Sequence, residues 1–195
     1  MGLDQYLYKR TALKTHEIFE DNEKHHVSII QDGKQVDIVK KERISSITEL
    51  VCSWRKFNAL QGYIMTHYCS DDLTLTSPIY LHKEDFEKLL DIANTVDTSL
   101  RKSGKKIIQE EVGSKKTEDG KFVPLYEDVE VYIDTEVALK LLPPSPGFFF
   151  GSQLIDDYYK ENVETLIQEL QDILVEIQKD KEKKAWTDWY YTSSW

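Results

Sequence analysis

No apolar run in the 195 residues comes near the ~18 needed to cross a bilayer. The opening "MGLDQYLYKR" lacks the basic-then-apolar order of a signal peptide and does not fit the myristoylation pattern, so a cytosolic protein with no membrane partner is expected. Cysteine is scarce, with only Cys52 and Cys69. On one helix they would lie ~25 Å apart, against the ~7 Å a disulfide tolerates, so two reduced thiols are expected. Glycine is sparse too, at eight residues, and no phosphate loop can be assembled from it. "RKSGKK" has its Gly-Lys but neither the upstream Gly nor the following Ser or Thr. A Gly-x-Ser-x-Gly elbow is missing too, which removes the commonest serine-hydrolase signature. His67 beside Cys69 offers a thiol and a base with no further signature around them. Cys52, His67, Cys69 and His82 are zinc-ligand types without the paired Cys-x-x-Cys or His-x-x-x-His spacing that grips the ion. No catalytic residue, metal or cofactor is assigned on these grounds.

Acid, by contrast, is abundant and unevenly placed. The net charge is −10. Residues 118–136 hold seven acids and one Lys, as do residues 153–178, so each stretch carries −6 and the remainder +2. General binding to nucleic-acid phosphates is disfavoured. Two solvated faces are the plain reading. A basic partner surface, including one that normally holds nucleic acid, is the functional one.

The hydrophobic fraction of 40% is enough for a core. "LDQYLYKR" alternates as a strand, with Leu3 and Leu7 on one face and Tyr6 and Tyr8 on the other. Residues 26–39 carry Asp32-Gly33 between β-branched runs, which predicts a hairpin. Ser46 and Glu49 form a capping-box pattern, and Ile47, Leu50, Val51, Trp54 and Phe57 follow helical spacing, so a helix is expected over 46–68 with Gly62 as its weak point. A short strand at 79–81 leads into a helix over 83–100. Residues 102–133 read as a β-hairpin insertion turning at Asp119-Gly120, with Val129, Val131 and Ile133 as the half-buried face of its second strand. A short helix, the stop at Pro143-Pro144, and the longest helical pattern, over 155–179, follow. The fold class is therefore α+β, as one domain over 1–195. An antiparallel sheet that includes the N- and C-terminal strands is packed with about three main helices, plus the hairpin appendage.

"WTDWYYTSSW" ends the chain with five large aromatics. A membrane anchor is disfavoured, since no basic amphipathic face accompanies it. As a strand it puts Trp189, Tyr191 and Trp195 on one side and Trp186 and Tyr190 on the other. That suits an interior strand paired with "LDQYLYKR" and covered on both faces. Trp54 and Asn58, four apart on the expected helix, share a face. Asn58 then either reaches a backbone carbonyl in the core or lines a small pocket. If a pocket exists, Trp54, Arg55, Asn58, Phe149, Tyr158 and Tyr159 are its candidate ligand-binding residues. Asp156 and Asp157, paired at a helix start, suit capping better than a divalent metal.

"MGLDQYLYKR", "WRKFNAL", "LPPSPGFFFGS" running into "DDYY", and "YYTSSW" occur in this order. Together they resemble a family of small uncharacterised proteins encoded by bacteriophages and prophages. The match touches both ends and the middle and is carried by about a fifth of the residues. This chain departs from that family's pattern at Gln5, at "LQGYIM" and at "IDDYY", and 102–133 is an insertion relative to shorter members. The resemblance implies an accessory protein made in a bacterial cytoplasm and supplies no reaction. With no catalytic signature, the reading favours a non-enzymatic protein that modulates a host protein, such as a defence component, through acidic and aromatic surfaces. A small-molecule or nucleotide-binding protein with an aromatic pocket is the alternative, and a metal-dependent enzyme ranks last.

Overall fold

The computed structural model describes residues 2–16, 18–69, 77–147 and 150–195. Its centre is a four-stranded sheet of order β4-β1-β8-β5, built from β1 (Asp4–Ala12), β4 (Ser46–Arg55), β5 (Ile79–Leu81) and β8 (Thr187–Ser194). All three pairings are antiparallel. β1 and β8, the first and last strands, lie side by side in the middle, with Asp4 opposite Ser194 and Thr11 opposite Thr187. The aromatic tail is therefore the interior strand its alternation predicts.

One face of the sheet is buried. Leu7, Cys52, Trp54, Leu81, Trp189 and Tyr191 join the core with Phe86, Leu89 and Val96 of α2 (Lys83–Leu100) and Val163, Leu166, Leu170 and Ile173 of α4 (Asp157–Glu182). α1 (Asn58–Tyr68) and α3 (Glu136–Leu141) complete the four helices among the described residues. Both long helices start as their sequences suggest. The Asp156 side chain accepts from Tyr159 N–H at 2.9 Å, and Asp85 of α2 accepts from His82 N–H at 2.7 Å. No described helix is long and apolar enough to cross a membrane.

The expected helix over 46–68 is corrected. Residues 46–55 form β4, and helix begins only at Asn58. A bulge disguises the strand. Leu7 faces Cys52 but Tyr8 faces Leu50, so Val51 is an extra residue. The period-2 phase slips by one there, and the apolar spacing imitates a helix. At Gly62 in α1 a Cβ would fall 1.8 Å from Ser145 Oγ, so this glycine admits the 143–147 loop against the helix rather than weakening it.

The hairpin predicted over 26–39 shrinks to β2 (Ile30–Gln31) and β3 (Lys34–Gln35), turning at Asp32 (φ 50°) and Gly33 (φ 74°). The later one is long: β6 (Lys105–Lys116) pairs antiparallel with β7 (Phe122–Tyr132) as a separate two-stranded sheet. Its expected half-buried face holds at Val129 and Val131 and is corrected at Ile133. Val131 and Tyr132 are buried at the root, whereas Ile133 is exposed and most of the arm lies in solvent.

Candidate functional site

β1, β8 and β5 each alternate, so one set of side chains enters the core and the other stands on the opposite face of the sheet. Tyr6 and Tyr8 of β1, Tyr190 of β8 and Tyr80 of β5 share that outer face. Register puts Leu50, Tyr8, Tyr190 and Tyr80 in one row across all four strands. Tyr8 stacks on Tyr190 with ring centroids 5.3 Å apart, Tyr190 meets Tyr80 at 5.8 Å, and Tyr6 meets Tyr8 at 6.2 Å. One row further on, Arg10 binds Asp188 at 2.5 Å. That bond, with the neighbouring Tyr80, holds the guanidinium more firmly protonated still. At the end of the row Leu50 is 56% exposed and Tyr80 49%. The cover expected on both sides of the tail is therefore corrected. No described helix lies over the tyrosines. Their rings stack or tilt against one another, which leaves Tyr6, Tyr8 and Tyr190 partly exposed beside exposed Tyr80.

The residues singled out in the sequence lie elsewhere, at the junction of β4, α1 and the start of α4. Trp54 and Asn58 are not on one helix, because β4 carries the first and α1 starts at the second. Trp54 is buried and donates from Nε1 to Glu169 at 2.6 Å. Asn58 donates to the Ser152 carbonyl at 2.7 Å. Tyr158, half in solvent, donates to the Arg55 carbonyl at 2.7 Å, and buried Tyr159 donates to the Leu142 carbonyl at 2.8 Å. The Arg55 side chain itself is exposed, 3.8 Å from Asp4. Phe149 lies outside the described residues. Trp54, Asn58, Tyr158 and Tyr159 thus tie β4 and the 142–156 segment to α1 and α4.

Two polar groups sit between sheet and helix that sequence reading did not single out. Gln5 exchanges hydrogen bonds with the Phe57 backbone at 3.1 and 3.2 Å and donates to Tyr191 Oη at 2.9 Å; Tyr191 donates on to Gln61 at 2.5 Å. Lys9 is buried against α4, 2.6 Å from Glu176 and 2.7 Å from Asp180. Burial pulls its pKa down, but the two carboxylates outweigh burial and leave it raised.

The chemistry of these groups is quiet. Burial, with Glu169 alongside, pushes the Cys52 thiol up to about 12, and burial also raises Cys69. Neither thiol is activated as a nucleophile. The His67 ring stacks on Tyr63 at 4.2 Å and shares a 2.9 Å hydrogen bond with the Tyr63 carbonyl. Asp156 is taken up as a cap, and Asp157 holds Lys105 at 2.8 Å and the Tyr132 hydroxyl at 2.9 Å. Among the described residues, no three His, Cys, Asp or Glu side chains gather as ligands. Comparisons with protein-family models, with curated proteins and with solved structures return no match.

Proposed function

We propose that this is a non-enzymatic binding protein, encoded by a bacteriophage or prophage, that engages and modulates a host protein in the bacterial cytoplasm. Its recognition surface is the tyrosine face of the sheet, and the partner presents a basic, arginine-bearing surface. The observation that carries the reading is the cluster of exposed Tyr80 with partly exposed Tyr6, Tyr8 and Tyr190 on a chain of net charge −10. Tyrosine rings attract guanidinium groups through their π-faces, and the surrounding negative potential speeds the encounter.

The test is capture from bacterial lysate by the wild type and by a Tyr80→Ala/Tyr190→Ala variant, with folding checked by circular dichroism. The expected result is one partner, retained by the wild type, lost by the folded variant, and cross-linked through an arginine-rich segment. A partner held equally by both proteins would move the interface elsewhere and end this reading. A second reading, a small-molecule or nucleotide-binding protein, draws its support from a basic groove at the far end of β1.

A further inference from the structure

At the C-terminal end of β1 the sheet, the loop after it and the last turn of α4 enclose a groove of about 520 Å³. That volume suits a small organic ligand. Lys14, His25, Lys183, Lys184 and Trp186 line it, together with Glu23. Three lysines and one carboxylate make it locally basic in an acidic protein, and Lys14 and Glu23 meet only loosely, at 3.6 Å. Among the described residues, Lys183 and Lys184 have no carboxylate within salt-bridge distance. A second hollow of about 300 Å³ shares His25 and adds Lys24 and Lys41.

Three features show preparation for a ligand. First, Trp186 is 65% exposed at the wall of the groove, a large apolar ring left in water. Second, Lys14 and His25 are locked together by His25 N–H to the Lys14 carbonyl at 2.8 Å and by Lys14 N–H to His25 Nδ1 at 3.0 Å. Nδ1 is the acceptor, so Nε2 carries the proton and remains a donor. Third, Lys184 has φ of +53°. It occupies the left-handed position just past α4, where Lys184 N–H meets the Lys181 carbonyl at 3.1 Å and Ala185 N–H meets the Asp180 carbonyl at 2.9 Å. Glycine is the residue that fits this capping motif without strain. A lysine there is held against backbone preference, a local strain consistent with a functional side chain. The same two bonds occupy helix-end carbonyls that would otherwise repel an anion.

We propose that this groove binds a free nucleotide, with the base stacked on Trp186 and the phosphate held by Lys14, Lys183 and Lys184. The site is separate from the tyrosine face, and neither depends on the other. Calorimetric titration of the full chain with the four ribonucleoside monophosphates and triphosphates tests it, with adenosine, inorganic phosphate and a short single-stranded oligonucleotide as comparisons. At least one nucleotide should bind, more tightly than adenosine or phosphate alone, and weaken as salt is raised. Trp186→Ala should cost about tenfold in Kd, the usual scale of lost base stacking. Lys184→Gly should weaken binding several-fold while raising the melting temperature, a combination that a merely structural lysine would not give. The proposal is overturned if no nucleotide binds at millimolar concentration, if both variants bind as the wild type does, or if the oligonucleotide is preferred over every free nucleotide.

Discussion

Single residues in this fold carry bonds that their neighbours cannot replace. Tyr191 is fully buried, and its hydroxyl both accepts from Gln5 and donates to Gln61. Removing it leaves one N–H of Gln5 and the Gln61 oxygen without a partner, so Tyr191→Phe should lower stability by about 2 kcal/mol in urea unfolding. An unchanged midpoint would mean that water replaces the hydroxyl. Glu169 behaves in the opposite sense. Burial raises its carboxyl above the usual range, against the hydrogen bonds from Trp54 and Cys52 that lower it. The folded state therefore holds this proton to higher pH than the unfolded chain does, and stability falls as pH rises through that window. Glutamine keeps an acceptor for Trp54 and does not ionise. Glu169→Gln should flatten the stability profile on the alkaline side of the ordinary glutamate pKa of ~4.3, and an unchanged slope would assign the dependence to other carboxylates. Trp54 and Asn58 were visible in the sequence as unusual residues. Their partners, Glu169 and the Ser152 carbonyl, were not, since they lie 115 and 94 residues away.

Elements differ in how firmly they belong to the core. The β6–β7 arm meets the rest of the molecule at its root, through buried Val131 and Tyr132 and the Tyr132–Asp157 bond. Beyond it, Glu110 lies directly opposite Glu127, a like-charge pair that weakens the ladder. Replacing residues 108–129 by a tight Asn-Gly turn should leave the core folded, with a melting temperature within a few degrees of the full chain. A collapse would show that the arm supports the sheet. β8 is the reverse case, bonded on one side to β1 and on the other to β5, with Trp189 and Tyr191 in the core. Deleting residues 186–195 should abolish cooperative unfolding, and a truncated protein that melts normally would contradict the central placing of β8. α2 was legible residue for residue because a one-sided apolar stripe has only one period that fits it. β4 was not, because the bulge at Val51 shifts its alternation.

At the scale of the whole molecule the charges are sorted. Residues 118–136 and 153–178 each carry −6, while the groove near Lys14 and Lys184 gathers lysines. Long-range fields of this kind act on association and are screened by salt. Capture of a basic partner through the tyrosine face should therefore weaken steeply between about 50 and 500 mM salt. A salt-independent complex would point to apolar contact alone.

The sequence by itself determined the fold class, the pairing of the first strand with the last, the two long helices and the projecting hairpin. The helices and the hairpin rest on local periodicity or turn chemistry that a short window contains, and the pairing of the two end strands on the apolar character of both faces of the tail. Tertiary structure alone decided that β4 is a strand, that Lys9 is neutralised by α4, and that the outer tyrosines stay partly exposed. Alternation says that a strand has two faces. It does not say which face another element will cover, because that depends on contacts between residues far apart in the chain, and the aromatic row of β1, β8 and β5 exists only once those strands are paired.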